Sequence, residues 1–259
     1  METATGTIYR LDRGYVGVTG PEAGDFLERM VSNEVVSLEP GEARQALLLT
    51  PKSRIVAPLR VVREGPEAFL LLTESDLAET VASTLLRARF AAKCEIEAKP
   101  YRGYLRLGEG EGIRNDDYGL AASESWGDEE LDAADPQELE PLRIEAGTPA
   151  WGKELDDAIL PAEAGLDETH VSFTKGCYPG QEPIARLHYR GRPNRRLRVL
   201  EVADASPGDE IVLGEKTVGR VTSAVPGCAL GYVRREVPDD AVLEIGGAEA
   251  RLHLTAARP

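Results

Sequence analysis

One thiol stands out for its setting. Cys177 lies in Lys175-Gly176-Cys177-Tyr178-Pro179-Gly180-Gln181-Glu182, where two glycines and a proline exclude a continuous helix or strand. Gly176 and Gly180 can take positive φ or let backbone come close to a ligand. From Gln181 to Tyr189 the pattern predicts a short helix, with Pro183 in its first turn and Gly191 just past its end. Cys177 then stands near a helix N-terminus, close to Lys175 and with Arg186 as a further cation. Both influences favour thiolate over thiol. The competing reading is a buried cysteine that only fills a tight turn. A protease-type dyad is not indicated, because His170 has no identifiable carboxamide or carboxylate to orient it.

The elements that must position this turn are legible in outline. The chain has 259 residues, 42% of them hydrophobic, which is enough for a proper core in one large or two ordinary domains. A net charge of −15 argues against a dedicated nucleic-acid binder. The three cysteines, Cys94, Cys177 and Cys228, form no C-x-x-C pair. They suit a reducing compartment, and with His170, His188 and His253 they give no zinc or cluster spacing. No apolar run is long enough for a membrane span, and Met1 to Arg10 lacks a signal-peptide core. The expected location is cytoplasmic.

Strands are predicted at Tyr15–Val18, Leu47–Thr50, Ile55–Val62, Ala68–Thr73 and Cys94–Ala98. Helices are predicted at Glu22–Met30 and Leu77–Phe90, the second capped by Ser75 or Asp76. Pro58 suggests that its strand is an edge or carries a bulge. Leu105–Gly112 reads as a hairpin, Leu120–Glu140 as a solvated acidic helix-and-loop face, and Leu142–Ala146 as strand-like. From Arg195 onward six short apolar strands, the last at Leu252–Leu254, alternate with Pro-Gly and Gly-Gly breaks and suggest a small barrel or sandwich. The order predicts an α+β fold with an antiparallel-leaning sheet.

Three blocks in order resemble the YgfZ family, folate-binding relatives of the glycine-cleavage T-protein (aminomethyltransferase). They are Arg143-Ile144-Glu145-Ala146-Gly147-Thr148-Pro149, then Leu160-Pro161-Ala162-Glu163-Ala164-Gly165-Leu166, then the Cys177 octet running on through Arg186 to Gly191. Gly20-Pro21-Glu22-Ala23, Ser32-Asn33-Glu34-Val35 and Leu49-Thr50-Pro51-Lys52 resemble the family's opening. The resemblance implies a folate-binding T-protein-like region over residues 1–193, in two subdomains, followed by a C-terminal β-barrel over 194–259. It implies tetrahydrofolate or another reduced folate as cofactor. It also implies support of iron–sulfur cluster assembly or repair and, through cluster enzymes, of tRNA modification. The partners so implied are the folate and, transiently, iron–sulfur enzymes or assembly proteins, with no direct nucleic acid and no membrane.

By the same resemblance Glu145 takes the place of the glutamate that pairs with the pterin ring, since a carboxylate accepts two parallel hydrogen bonds from such an edge. The other reading of Glu145 is an exposed or Arg143-paired surface glutamate. Cys177 is the functional thiol, with Lys175 beside it. Arg186 either meets the folate's glutamate tail or solvates the surface. Tyr189, like Trp151, either flanks the pterin or is a rim residue. One departure matters: Ala57-Pro58 stands where the T-proteins carry aspartates, so the acid that assists aminomethyl transfer is missing. No stand-alone aminomethyltransferase activity is therefore expected, and a folate-dependent C1 transferase is the alternative that an acid there would favour.

Overall fold

The computed structural model describes residues 6–253. Five residues of the N-terminal stretch and Leu254 of the last expected strand lie outside them. The chain forms two compact units, one of Met1–Asp116, Leu120–Pro136 and Leu166–Arg186, the other of Asp117–Gly119, Gln137–Gly165 and Leu187–Pro259.

In the first unit the elements run β1 (Ile8–Leu11), β2 (Arg13–Thr19), α1 (Ala23–Met30), β3 (Ala43–Leu49), β4 (Ile55–Gly65), β5 (Ala68–Glu74), α2 (Ala78–Ala88), β6 (Glu95–Lys99), β7 (Arg102–Leu107), β8 (Ile113–Asn115) and β9 (Ala122–Gly127). They make two antiparallel sheets, ordered β3-β4-β5-β2-β6 and β1-β7-β9-β8. Period-two alternation splits β2 between two faces. Tyr15 packs with Val62, Leu70, Leu72 and Ile113 in the core between the sheets, while α1 and α2 pack on the five-stranded sheet. Gly14, where a Cβ would meet that of Ala78 at 2.7 Å, lets α2 approach.

Several sequence expectations are corrected here. Residues Ser75–Leu77 form a 3-10 turn, so α2 starts behind Leu77 without a side-chain cap. β4 is an interior strand rather than an edge, but the bulge that Pro58 suggested is there: the register with β3 shifts between Leu48 and Leu49, opposite Ala57 and Ile55, and pairing with β5 begins only at Arg60. β7 and β8 are not a hairpin; both pair with β9. The acidic stretch expected to be solvated contains β9, an interior strand of its sheet.

Glu124 explains why that strand escapes a hydrophobicity reading. Its carboxylate is fully buried, accepting from Arg13 Nε at 3.0 Å, Arg60 Nη1 at 2.9 Å and Asn115 Nδ2 at 2.7 Å. Arg13 and Arg60 belong to one sheet, Glu124 and Asn115 to the other, so the charge cluster joins the two layers. Tyr15 lies beside it with a buried hydroxyl that has no hydrogen-bond partner, and burial, reinforced by Glu124, pushes its ionisation up. Gly103 makes room for that hydroxyl, because a Cβ there would come within 2.3 Å of it.

The second unit contains α3 (Glu140–Glu145), the end of α4 (Gln181–Arg190), and strands β10 (Arg195–Val202), β11 (Glu210–Leu213), β12 (Lys216–Val225), β13 (Gly227–Arg234), β14 (Val242–Ile245) and β15 (Ala248–Leu252). The six strands close into a barrel in the order β10-β13-β12-β11-β14-β15. The expected C-terminal barrel is thus present, in an α+β chain. Leu200, Val221, Ala229, Leu243 and Ile245 fill its interior. Ile144 of α3 packs outside it, on Val199 and Leu230. The Leu142–Ala146 segment is helical, not extended: Pro141 suits a helix's first turn, and tertiary packing of Ile144 fixes the rest.

Glu124→Gln, which keeps the shape and removes the charge, is expected to lower unfolding stability by about 3 kcal/mol, because it breaks the buried ion pair with Arg60 and the pair with Arg13. Urea titration followed by circular dichroism checks this, and an unchanged midpoint would show that Glu124 is dispensable.

Candidate functional site

In the first unit the Cys177 octet is held from both ends. At its start, Lys175 is buried and its ammonium donates to the carbonyls of Val31 at 3.0 Å and Asn33 at 2.7 Å, and pairs with Glu28 at 3.2 Å. Burial lowers its proton affinity, while Glu28 opposes the drop. The same ammonium lies 5.6 Å from the centre of the Tyr178 ring. Glu28 also accepts from the backbone N–H groups of Val35 and Val36 at 2.7 and 3.2 Å. The Ser32-Asn33-Glu34-Val35 block therefore packs directly against the octet. Ser32 Oγ reinforces this by donating to His170 O at 2.6 Å, and Ser172 N donates to Ser32 O at 2.9 Å.

At the other end, Gly180 has φ +83° and a Cβ there would meet Thr50 O at 2.6 Å. Only glycine permits both the conformation and the approach. Ser53, itself buried with φ 61°, donates from Oγ to Gly180 O at 2.6 Å. Between these clamps Tyr178 is buried with an unpartnered hydroxyl, pushed up to about 12 by burial. Cys177 is exposed. The octet thus presents a thiol on a fixed backbone, with Lys175 tying the turn down rather than standing free beside sulfur. The helix expected behind it is α4; Arg186 is on its exposed side, paired with Glu182 at 2.9 Å, and Tyr189 is exposed, edge-on to His188 at 4.9 Å.

In the second unit the Arg143 block has a different division of labour from neighbouring charges. Arg143 is buried and fully engaged: Nε and Nη2 fork onto Glu140 at 2.8 and 2.6 Å, Nη1 meets Glu154 at 2.8 Å and also Thr148 O, and Nη2 reaches Ser223 Oγ at 3.0 Å. Glu154, buried as well, accepts from Ser223 Oγ at 2.6 Å and from Ala150 N at 3.0 Å. Tyr232 Oη closes the network on Glu154 O at 2.8 Å. Glu145, at the end of α3, is exposed and engaged by none of these groups. Arg143 is therefore not paired with Glu145, and of the competing reading the exposed surface glutamate remains. Glu145 still makes itself felt: burial first, then the charges of Glu145 and Glu201, push the Cys228 thiol up to about 11.

Among the described residues no three His, Cys, Asp or Glu side chains group as a metal site, and no helix is long and apolar enough to cross a membrane. Ala57 is fully buried in β4, next to half-buried Pro58. Sequence reasoning missed Glu154 and Ser223, which fix Arg143; neither lies in a motif, and only the fold brings them together.

Comparisons with known proteins bear on the fold and the relatives of the chain. Residues 194–259 match a family described as the CAF17 C-terminal beta-barrel domain. A tRNA-modifying protein YgfZ of Serratia proteamaculans is 36% identical over 104 residues, covering 37% of this chain and 32% of that protein. An aminomethyltransferase of Corynebacterium aurimucosum is 25% identical over 290 residues, covering 90% of this chain and 78% of its own. The fold matches that of the glycine cleavage system aminomethyltransferase T from Bartonella henselae, with a TM-score of 0.83 at 19% identity, over 96% of this chain and 85% of that one.

Two predictions follow from the geometry. In a short iodoacetamide pulse at pH 8, Cys177 alkylates before half-buried Cys228 and buried Cys94, whose thiol burial also pushes up; peptide mapping that finds Cys177 last would refute its exposure. The second concerns Glu140, whose hydrogen bonds to Arg143 hold its carboxyl at about 2. That lies below the unfolded value of about 4.3, so its stabilisation is present above pH ~4 and is lost as pH falls through ~2. Glu140→Gln should be less stable than wild type at neutral pH, with the gap closing towards pH ~2 in denaturant titrations.

Proposed function

We propose that this chain, a YgfZ-type relative of the aminomethyltransferase T-proteins, binds a reduced folate such as tetrahydrofolate and supports assembly or repair of iron–sulfur clusters in client enzymes. One observation carries the folate half: Glu145 is an exposed, unengaged carboxylate at the end of a helix, while the arginine two residues before it is locked elsewhere. A carboxylate left free in this way suits the paired donors of a pterin edge. Glu145 would hold the ring, with Tyr189 at the ring face. When bound, the folate supplies one-carbon carrier chemistry.

The residues proposed for the folate span a region over 1–193, with 194–259 as the barrel domain. Cys177 is the group that meets the client, as a thiol handling sulfur, iron or electrons in transit, and Lys175 holds it in position. The cluster is the client's cargo. Clients that modify tRNA connect this reading to the name of the Serratia relative. The protein then works in the cytoplasm without contacting nucleic acid or membrane. A T-protein-type transfer is not favoured, because buried Ala57 and half-buried Pro58 offer no acid to the folate nitrogen.

Calorimetry with tetrahydrofolate tests the first half. Glu145→Ala removes one or two hydrogen bonds to a charged group, each worth about 1.5–3 kcal/mol, and binding should weaken accordingly. Absence of binding to the wild type, or equal binding to the variant, would overturn it. Cys177→Ser should fold and bind folate yet fail to restore cluster-enzyme activity in a strain lacking its own YgfZ. Full restoration by the serine protein would reduce the thiol to packing.

A further inference from the structure

The barrel carries arginines where its own core has no use for them. Along β10 the even-numbered side chains face inward, since Leu200 and Val202 belong to the barrel core and Leu200 stands opposite Ala229 of that core. The same row begins with Arg196 and Arg198, opposite Val233 and Gly231. Period-two alternation therefore puts two guanidiniums at one end of the barrel's inner row. A cleft of about 400 Å³ opens there over buried Val233 and Val237, lined by Arg192, Arg196, Arg198, Arg234 and Arg235 together with the carboxylates of Glu236 and Asp239.

Among the described residues two of these five arginines have a close carboxylate: Arg198 Nη2 lies 2.8 Å from Asp239, and Arg234 Nη1 lies 3.6 Å from Glu236. Arg192, Arg196 and Arg235 pair with no acid among the described residues, in a chain of net charge −15. Clustered like charges repel, and the cost is offset when an anion sits among them. The cleft has the size of a small-molecule site and lies at a barrel mouth, a common place for one. No aromatic residue lines it, so no base or ring is stacked there. Recognition falls to guanidinium forks, whose planar donors match phosphate oxygens two at a time.

We propose that this barrel mouth binds a compact phosphate-bearing anion, an oligophosphate group carried by a small molecule. Arg192, Arg196 and Arg235 grip it, and Arg198 exchanges Asp239 for the ligand. The proposal stands independently of the folate reading.

Titration calorimetry of the full chain with sodium tripolyphosphate at low ionic strength is the test. The expected result is one saturable site that weakens with added salt. The Arg196→Gln/Arg235→Gln double variant should bind about tenfold more weakly or worse, because charged hydrogen bonds are lost. Asp239→Asn, which frees Arg198, should bind more tightly, a gain that misfolding cannot produce. No saturable binding, no gain in Asp239→Asn, or unchanged affinity in the double variant would overturn the proposal. So would citrate binding as tightly as tripolyphosphate, or a short RNA that binds and is not displaced by it.

Discussion

A guanidinium taken out of water has to have its donors answered, and Arg143 arranges the second unit around that demand. Glu140 and Glu154 supply carboxylates from either side, Thr148 a carbonyl, and Ser223 a hydroxyl from the barrel wall. The turn after α3 is thereby fixed to the barrel strands, with Ile144 packed on Val199 and Leu230. The cation is already satisfied, and the carboxylate two residues along is exposed. The network secures the backbone that carries Glu145 and leaves the charge of Glu145 uncompensated.

The first unit uses the same physics for a different end. Lys175 is a buried cation answered by Glu28 and two carbonyls, and it fastens the octet to the segment around Asn33. Glu124 is a buried anion answered by Arg13 and Arg60, and it fastens one sheet to the other. In each case an ionic group that would be costly alone is surrounded, so the elements it joins cannot drift apart without exposing an unpaired charge. The exposed thiol of Cys177 gains a defined position from the bonds that Lys175 and Gly180 make on either side of it.

How much of this was legible in the sequence depended on whether apolar pattern or polar contact fixed each element. The six barrel strands could be read because Leu200, Val221, Leu230 and Ile245 recur between Pro-Gly and Gly-Gly breaks. The octet's turn and helix could be read from Gly180 and Gln181 to Tyr189. β9 could not, since its centre is Glu124, whose burial depends on arginines more than sixty positions away in the chain. The helical state of Glu145 was hidden for a related reason: a six-residue helix has little intrinsic stability, and the packing of Ile144 and the bonds of Arg143 decide it. Resemblance singled out Glu145 and Cys177 as residues; only the fold shows that Arg143 and Lys175 beside them are structural cations.

The account turns on whether the end of α3 is where a reduced folate docks. Hydrogen–deuterium exchange of the intact protein, with and without 5-formyltetrahydrofolate, reads this out residue by residue. The account predicts slowed exchange over residues 143–149 on adding the folate, an effect that Glu145→Gln diminishes. Slowing confined to other segments, with residues 143–149 unchanged, would contradict it.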